Sequence, residues 1–321
     1  MAFIEEISKR LPFLIVFTAI VTYFSPVYLE TAAWIPSFLL GIVIFFTGLS
    51  MNLGAVRGIK QKKKVLLLAA FLKWTVTVFI SIALAYIFFS EEAEIAAGLI
   101  LSGTVPSATA ATLYTFLAGG NTALVIAGSL IDTGISPLVT LLAMMNIPDN
   151  QVSITFIDLL QSFVLIVILP LSVGIFVQRL FPQAIQYSKP LTKLGSSLAL
   201  LCIVHIIVGE GAEAIASRIE LLPLLVVVIF IQVALPMGLG YYIAKKARTK
   251  EEDARAILFH VGLCNTALAA ILAFEFIGEL GAAPPIINTI INLSVGSFIA
   301  NRLGHRQSGR NIGQQQNQLS S

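Results

Sequence analysis

Two short runs of small and hydroxylic residues stand where long apolar segments would otherwise continue. The first reads Ser102-Gly-Thr-Val-Pro-Ser-Ala-Thr-Ala-Ala-Thr-Leu113, and the second Gly262-Leu-Cys-Asn-Thr-Ala-Leu-Ala-Ala-Ile-Leu272. Their chemistry is that of binding rather than bond-making. A helix broken inside a membrane exposes free N–H groups where its second half begins, and those groups and the helix dipole favour an anion. Pro106-Ser107 interrupts the first run, whose second half begins near Thr109. The second is interrupted at Leu263 to Thr266, where Asn265 and Thr266 are natural N-caps. Ser107, Thr109, Asn265 and Thr266 are therefore the candidate substrate-binding residues. A proline kink satisfied by neighbouring helices is the bland alternative. Two breaks at corresponding places of two halves favour a site, because secondary transporters bind substrate at such paired interruptions.

Ionisable groups within apolar segments form the second set: Lys73, Asp132, His205 and His260. Each charge at the bilayer centre costs on the order of 3 kcal/mol, so such groups are paired or functional. Lys73 and Asp132 lie at depths of about 12 and about 15 Å from the same side, at a helical rise of 1.5 Å per residue. They suit either a structural clamp or a role in transport. His260, one turn before the second break, is either a proton site or a neutral hydrogen-bonded residue. His205 reads as a packing histidine and Asp158 as interfacial.

The elements that must hold these residues are membrane helices. Of the 321 residues, 57% are hydrophobic and 12% charged, and the mean hydropathy is +0.91. Soluble domains carry about 25% charged residues, so lipid must solvate most of this chain. Cys202 and Cys264 both lie in apolar segments and give neither a disulfide framework nor a zinc spacing. Ten apolar segments run over 12–27, 34–52, 65–89, 95–118, 122–145, 152–178, 191–209, 220–244, 256–274 and 283–301. With the N-terminus inside, eighteen of the 20 basic residues fall in inner loops, and the outer loops are acidic. Both termini are then cytoplasmic. Tyr23, Tyr28 and Trp34 would mark the outer interface, and Tyr241 and Tyr242 the inner one. Five helices per half is an odd number, so the second half is inverted relative to the first. The expected fold is an all-α integral membrane protein: one multi-pass unit over 1–321 in the cell membrane, with repeats at 12–145 and 152–301. The tail, 302–321, is polar and expected to be irregular.

The residues also resemble the bile acid:sodium symporter family. The resemblance is carried by Gly103-Thr-Val-Pro-Ser-Ala-Thr-Ala-Ala-Thr, by Phe116-Leu-Ala-Gly-Gly-Asn-Thr-Ala-Leu124, by Ser136-Pro137-Leu138 and by Phe259-His-Val-Gly-Leu-Cys-Asn-Thr-Ala-Leu268. It implies that segments four and nine cross at their breaks. It implies a core of segments three to five and eight to ten moving against a panel of one, two, six and seven. It implies symport of an organic anion with sodium. Several family sodium positions are altered here. The fourth-segment serine and asparagine become Ala111 and Thr112, and two positions on the fifth become Val125 and Ser129. The ninth-segment glutamate and glutamine become His260 and Cys264, and a third-segment glutamine becomes Lys73. Sodium prefers oxygen ligands and negative charge. Thr112, Ser129 and Asp132 could form a degenerate sodium site. Lys73, Thr112, Ser129, Asp132, His260 and Cys264 are together the candidate ion-coupling residues, with sodium or protons as the coupling ion.

A secondary transporter for a small carboxylate is thus the leading expectation, acting as a monomer with no cofactor. A sodium-independent exchanger or proton-coupled carrier is the alternative. A receptor on the same scaffold would normally carry a signalling domain. An enzyme is disfavoured because no His-Glu-x-x-His, Gly-x-Ser-x-Gly or metal-binding acidic cluster occurs. Nothing in the charge pattern calls for nucleic acid.

Overall fold

The computed structural model describes residues 11–25, 32, 34–51, 57–144, 156–181 and 183–319. Lys9, Arg10, Tyr28, the end of the first segment and residues 152–155 of the sixth lie outside the described residues. Among the described residues, thirteen helices follow in chain order. They are α1 (Leu11–Phe24), α2 (Trp34–Ser50), α3 (Lys63–Phe89), α4 (Ala93–Thr104), α5 (Thr109–Leu117), α6 (Thr122–Met144) and α7 (Ile157–Leu180). Then come α8 (Ala184–Glu210), α9 (Ala212–Ala216), α10 (Leu222–Lys246), α11 (Glu251–Gly262), α12 (Thr266–Phe276) and α13 (Glu279–Leu319). Among the described residues there is no strand, only one isolated bridge between Ser107 and Cys264.

Among the described residues, five helical stretches are long and apolar enough to cross a membrane: 63–89, 122–144, 157–180, 219–246 and 279–304. Shorter apolar helices fall on the first, second and seventh expected segments and on halves of the fourth and ninth. The outer surface is apolar: Phe24 and Phe79 are each 77% exposed. In water such a surface would be an aggregation liability, whereas lipid solvates it.

Packing sorts the helices into two groups. One buried cluster joins α3, α4, α5, α6, α10 and α11. A second joins α1, α2, α7 and α8 to parts of α4, α12 and α13. Within the second group α2 packs on α7 and α8, and α1 on α8. α13 lies against α4, α10 and α12.

The α5–α6 turn shows how the broken segments are anchored at their far ends. Gly119 has φ +67°, a conformation that costs glycine little and other residues much. It turns the chain so that the Asn121 amide donates to Glu252 O at 2.9 Å and Asn121 Nδ2 to Asp253 Oδ1 at 2.7 Å. Arg255 Nη1 donates to Ala118 O at 2.5 Å. Lys62 Nζ adds bonds to Glu252 (2.8 Å) and Asp253 (2.7 Å). Burial pushes the Lys62 ammonium down, but its bonds to Asp253 and Glu252 hold it above the ordinary lysine value. The C-terminal end of α5 is thereby fastened to the start of α11.

The last helix runs to Leu319, which departs from the irregular tail expected after 301. A helix already nucleated in the membrane extends without paying for a new nucleus, and Gln, Arg and Leu propagate it readily.

Candidate functional site

Both breaks lie where the sequence places them. α4 stops at Thr104, and Val105 and Ala108 take extended conformations, with φ/ψ of −80/160° and −67/149°. Pro106 supplies no N–H and biases Val105 away from the helical region. α11 stops at Gly262, and Leu263 is extended at −101/107°. The two extended pieces then pair. The Ala108 amide donates to Leu263 O at 2.9 Å, and the Asn265 amide donates to Pro106 O at 2.8 Å. Backbone groups freed in one break are satisfied by the other, as a medium without water requires.

α5 and α12 start side by side from this crossing. Asn265 caps α12, its Oδ1 accepting the Leu268 amide at 3.3 Å. That leaves its NH2 group to donate elsewhere. Thr266 is not a second cap; it is the first helical residue, and its hydroxyl meets Thr289 Oγ1 at 2.8 Å. No side chain caps α5. Ala108, Thr109, Ala110, Asn265, Thr266 and Ala267 line a cavity of about 860 Å³, a size that suits a small molecule. Its far wall comes from α2, α7 and α8, through residues such as Thr47, Leu171 and Leu200.

Behind the crossing lies a buried polar cluster. Ser107 Oγ is 2.7 Å from Asp132 Oδ2, 2.7 Å from His260 O and 3.0 Å from His260 Nδ1. Its single proton serves one of the two oxygen acceptors at a time. The Ser107 amide also donates to Asp132 Oδ2 at 3.2 Å. His260 Nε2 is 3.6 Å from the same oxygen, and the charges of Asp132 and Lys73 both bear on the imidazole. Room for that ring exists because residue 128 is glycine: a Cβ there would lie 2.5 Å from His260 Cε1. Ser107 thus joins the crossing to Asp132 and His260, besides lining the cavity.

A structural Lys73–Asp132 clamp, one of the two readings of that pair, does not form. Lys73 Nζ donates to Cys264 Sγ at 2.7 Å, whereas Asp132 turns to Ser107; no ion pair joins them among the described residues. Equal depth does not fix which face of a helix a side chain takes. Thr112 and Ser129 both line the cavity, and Ser129 Oγ donates to Ser107 O at 3.2 Å. His205 Nδ1 lies 2.7 Å from Thr22 Oγ1, a packing role. Asp158 is exposed in the first turn of α7.

Sequence reasoning missed the contribution of α13. Asn292 Nδ2 donates to Cys264 O at 3.0 Å and thereby holds the second break. Asn288 Nδ2 donates to Gln232 Oε1 at 2.9 Å, and Gln232 reaches Ser81 Oγ and Leu99 O. The signal was present as Asn288, Thr289 and Asn292, a polar stripe on one face of an apolar segment.

Comparison with known proteins now decides the family. A model of the sodium bile acid symporter family matches residues 37–218. The chain belongs to this family. It is 28% identical over 298 residues, 89% of each chain, to the uncharacterized sodium-dependent transporter YocS of Bacillus subtilis (strain 168). It is 26% identical over 268 residues to the probable sodium/metabolite cotransporter BASS1, chloroplastic, of Arabidopsis thaliana, covering 81% of this chain and 64% of that one. The uncharacterized protein YbaS of Bacillus subtilis (strain 168) is 21% identical over 268 residues, 86% of its length. The chain is therefore a multi-pass membrane protein of a transporter family, and its apolar helices agree with that.

Proposed function

We propose that this chain is a secondary transporter that carries a small organic anion, a carboxylate, across the cell membrane by alternating access. One observation carries the proposal: two helices begin together at paired breaks, and both beginnings line the same 860 Å³ cavity. Each helix N-terminus is equivalent to roughly half a positive charge. Two of them offer a carboxylate about one full charge, with no basic side chain in the wall among the described residues. Thr109 and the Asn265 NH2 group add directional donors. The names of YocS and BASS1, a sodium-dependent transporter and a sodium/metabolite cotransporter, support a small metabolite as cargo.

The architecture we infer is ten membrane segments in two inverted repeats, with both termini cytoplasmic. α3–α6 and α10–α13 form the core, and α1, α2, α7 and α8 the panel. The cavity lies between them, so sliding the core against the panel would open it to one side and then the other. An enzyme is disfavoured, because the family is one of transporters.

Binding of 14C-labelled monocarboxylates to purified wild-type protein, Thr109→Ala and Asn265→Ala tests the proposal. A hydrogen bond to a charged group is worth about 1.5–3 kcal/mol, so each substitution should weaken affinity about tenfold to a hundredfold. Wild-type affinity in both variants would remove the site from this position.

A further inference from the structure

Lys73 opens a π turn, Lys73–Thr77, inside an otherwise α-helical α3. Such turns insert a residue, redirect the side chains around them, and are frequent at functional sites. The residue is fully buried, and its ammonium reaches the second break, 2.7 Å from Cys264 Sγ. Cys264 is itself the bridge partner of Ser107, whose hydroxyl bonds Asp132. A thiol is a weak acceptor and does not offset a buried cation. The acidic residue in this network is Asp132, fully buried, with Oδ1 lacking a hydrogen-bond partner among the described residues. The crossing therefore contains one fixed positive and one fixed negative charge.

Sodium, the cation its family name implies, does not suit this donor set. A hard cation seeks several oxygens. The groups converging here include an ammonium, a thiol and an imidazole; the Ser107 and Ser129 hydroxyls beside them are already engaged, which leaves Asp132 Oδ1 and Asn292 Oδ1 as buried oxygens without a partner among the described residues. A sodium ion entering would also meet the Lys73 charge in a medium that screens poorly. Nor does the cavity need a co-ion, because the two helix N-termini supply about one positive charge.

We propose that the Lys73 ammonium is a tethered cation taking the place of a mobile sodium, so that this chain carries its anion without sodium. The proposal rests on the transport function above. With no sodium to carry, the anion moves down its own gradient or against another anion. His260, placed between Asp132 and Ser107, belongs to the same fixed network.

The test reads sodium directly, independently of any substrate. Saturable 22Na binding to purified full-length protein is measured by scintillation proximity, beside thermal unfolding in sodium chloride and in choline chloride at equal ionic strength. The wild type should show no saturable binding and the same unfolding temperature in both salts. The Lys73→Gln, His260→Glu, Cys264→Gln triple variant should gain saturable binding and a sodium-dependent rise in unfolding temperature, as a ligand specific to the folded state requires. If the triple variant does not fold, the wild-type measurement decides alone. Saturable 22Na binding to the wild type, or uptake of a 14C-monocarboxylate that stops when choline replaces sodium, would overturn the proposal. If no monocarboxylate binds with or without sodium, the transport function fails instead, and the 22Na result still stands by itself.

Discussion

Asn265→Asp separates the cap at the second break from the anion site beside it. In the wild type Oδ1 of Asn265 caps α12 and the NH2 group remains a donor near the cavity. An aspartate keeps the cap acceptor, and its charge suits a helix N-terminus. It removes the donor and places a negative charge where a carboxylate would dock. At a separation of about 5 Å and an effective dielectric of about 20, two like charges repel by about 3 kcal/mol, or roughly two orders of magnitude in affinity. The unfolding temperature should stay at or above that of the wild type. Asn265→Ala, which loses the cap, should be less stable by about 1 kcal/mol. The assays are binding of 14C-monocarboxylates and thermal unfolding on the same purified samples. An aspartate variant that folds and binds with wild-type affinity would refute the placement of the anion at the α5 and α12 N-termini.

Two further outcomes follow from contacts around the crossing. Gly128→Ala should lower the unfolding temperature, because its Cβ would sit 2.5 Å from His260 Cε1 and overpacking costs about 1–3 kcal/mol. Adding His260→Ala should recover part of the loss, and strict additivity would disprove the contact. At the N-terminal end of α11, burial pushes the Glu251 carboxyl up, but hydrogen bonds from Lys245, Arg255 and Tyr241 bring it down to about 2, against an ordinary value of 4.5. A depressed carboxyl stabilises the fold above its unfolded value and loses that contribution as pH falls toward its folded one. The wild type should therefore lead Glu251→Gln in unfolding temperature at about pH 6, and the gap should shrink below about pH 4; a constant gap would contradict the pairing.

The two breaks were legible in the sequence because proline and small hydroxylic residues leave a mark that no neighbouring helix can erase. The Asn265 cap was legible for the same reason: it acts locally. Side-chain partners across helices were not. Lys73 and Asp132 share a depth, yet they face different neighbours, since sequence gives the rise along a helix and not its rotation against others. Ser107 read as a substrate residue because it is polar and lies at a break; it does line the cavity, but that its hydroxyl also meets Asp132 and His260 could not be read from the sequence. The α13 stripe went unread because Asn288 and Asn292 gain meaning only when Gln232 and Cys264 O stand opposite them.

Counterflow in proteoliposomes tests the central claim most directly. Vesicles loaded with unlabelled monocarboxylate are diluted into a trace of the same compound carrying 14C, for the wild type and for Thr109→Ala with Asn265→Ala. The account predicts a transient overshoot of label inside wild-type vesicles, as only a carrier with an alternating site gives, and its loss in the double variant. Label that merely equilibrates in the wild type, or an overshoot unchanged in the double variant, would contradict it.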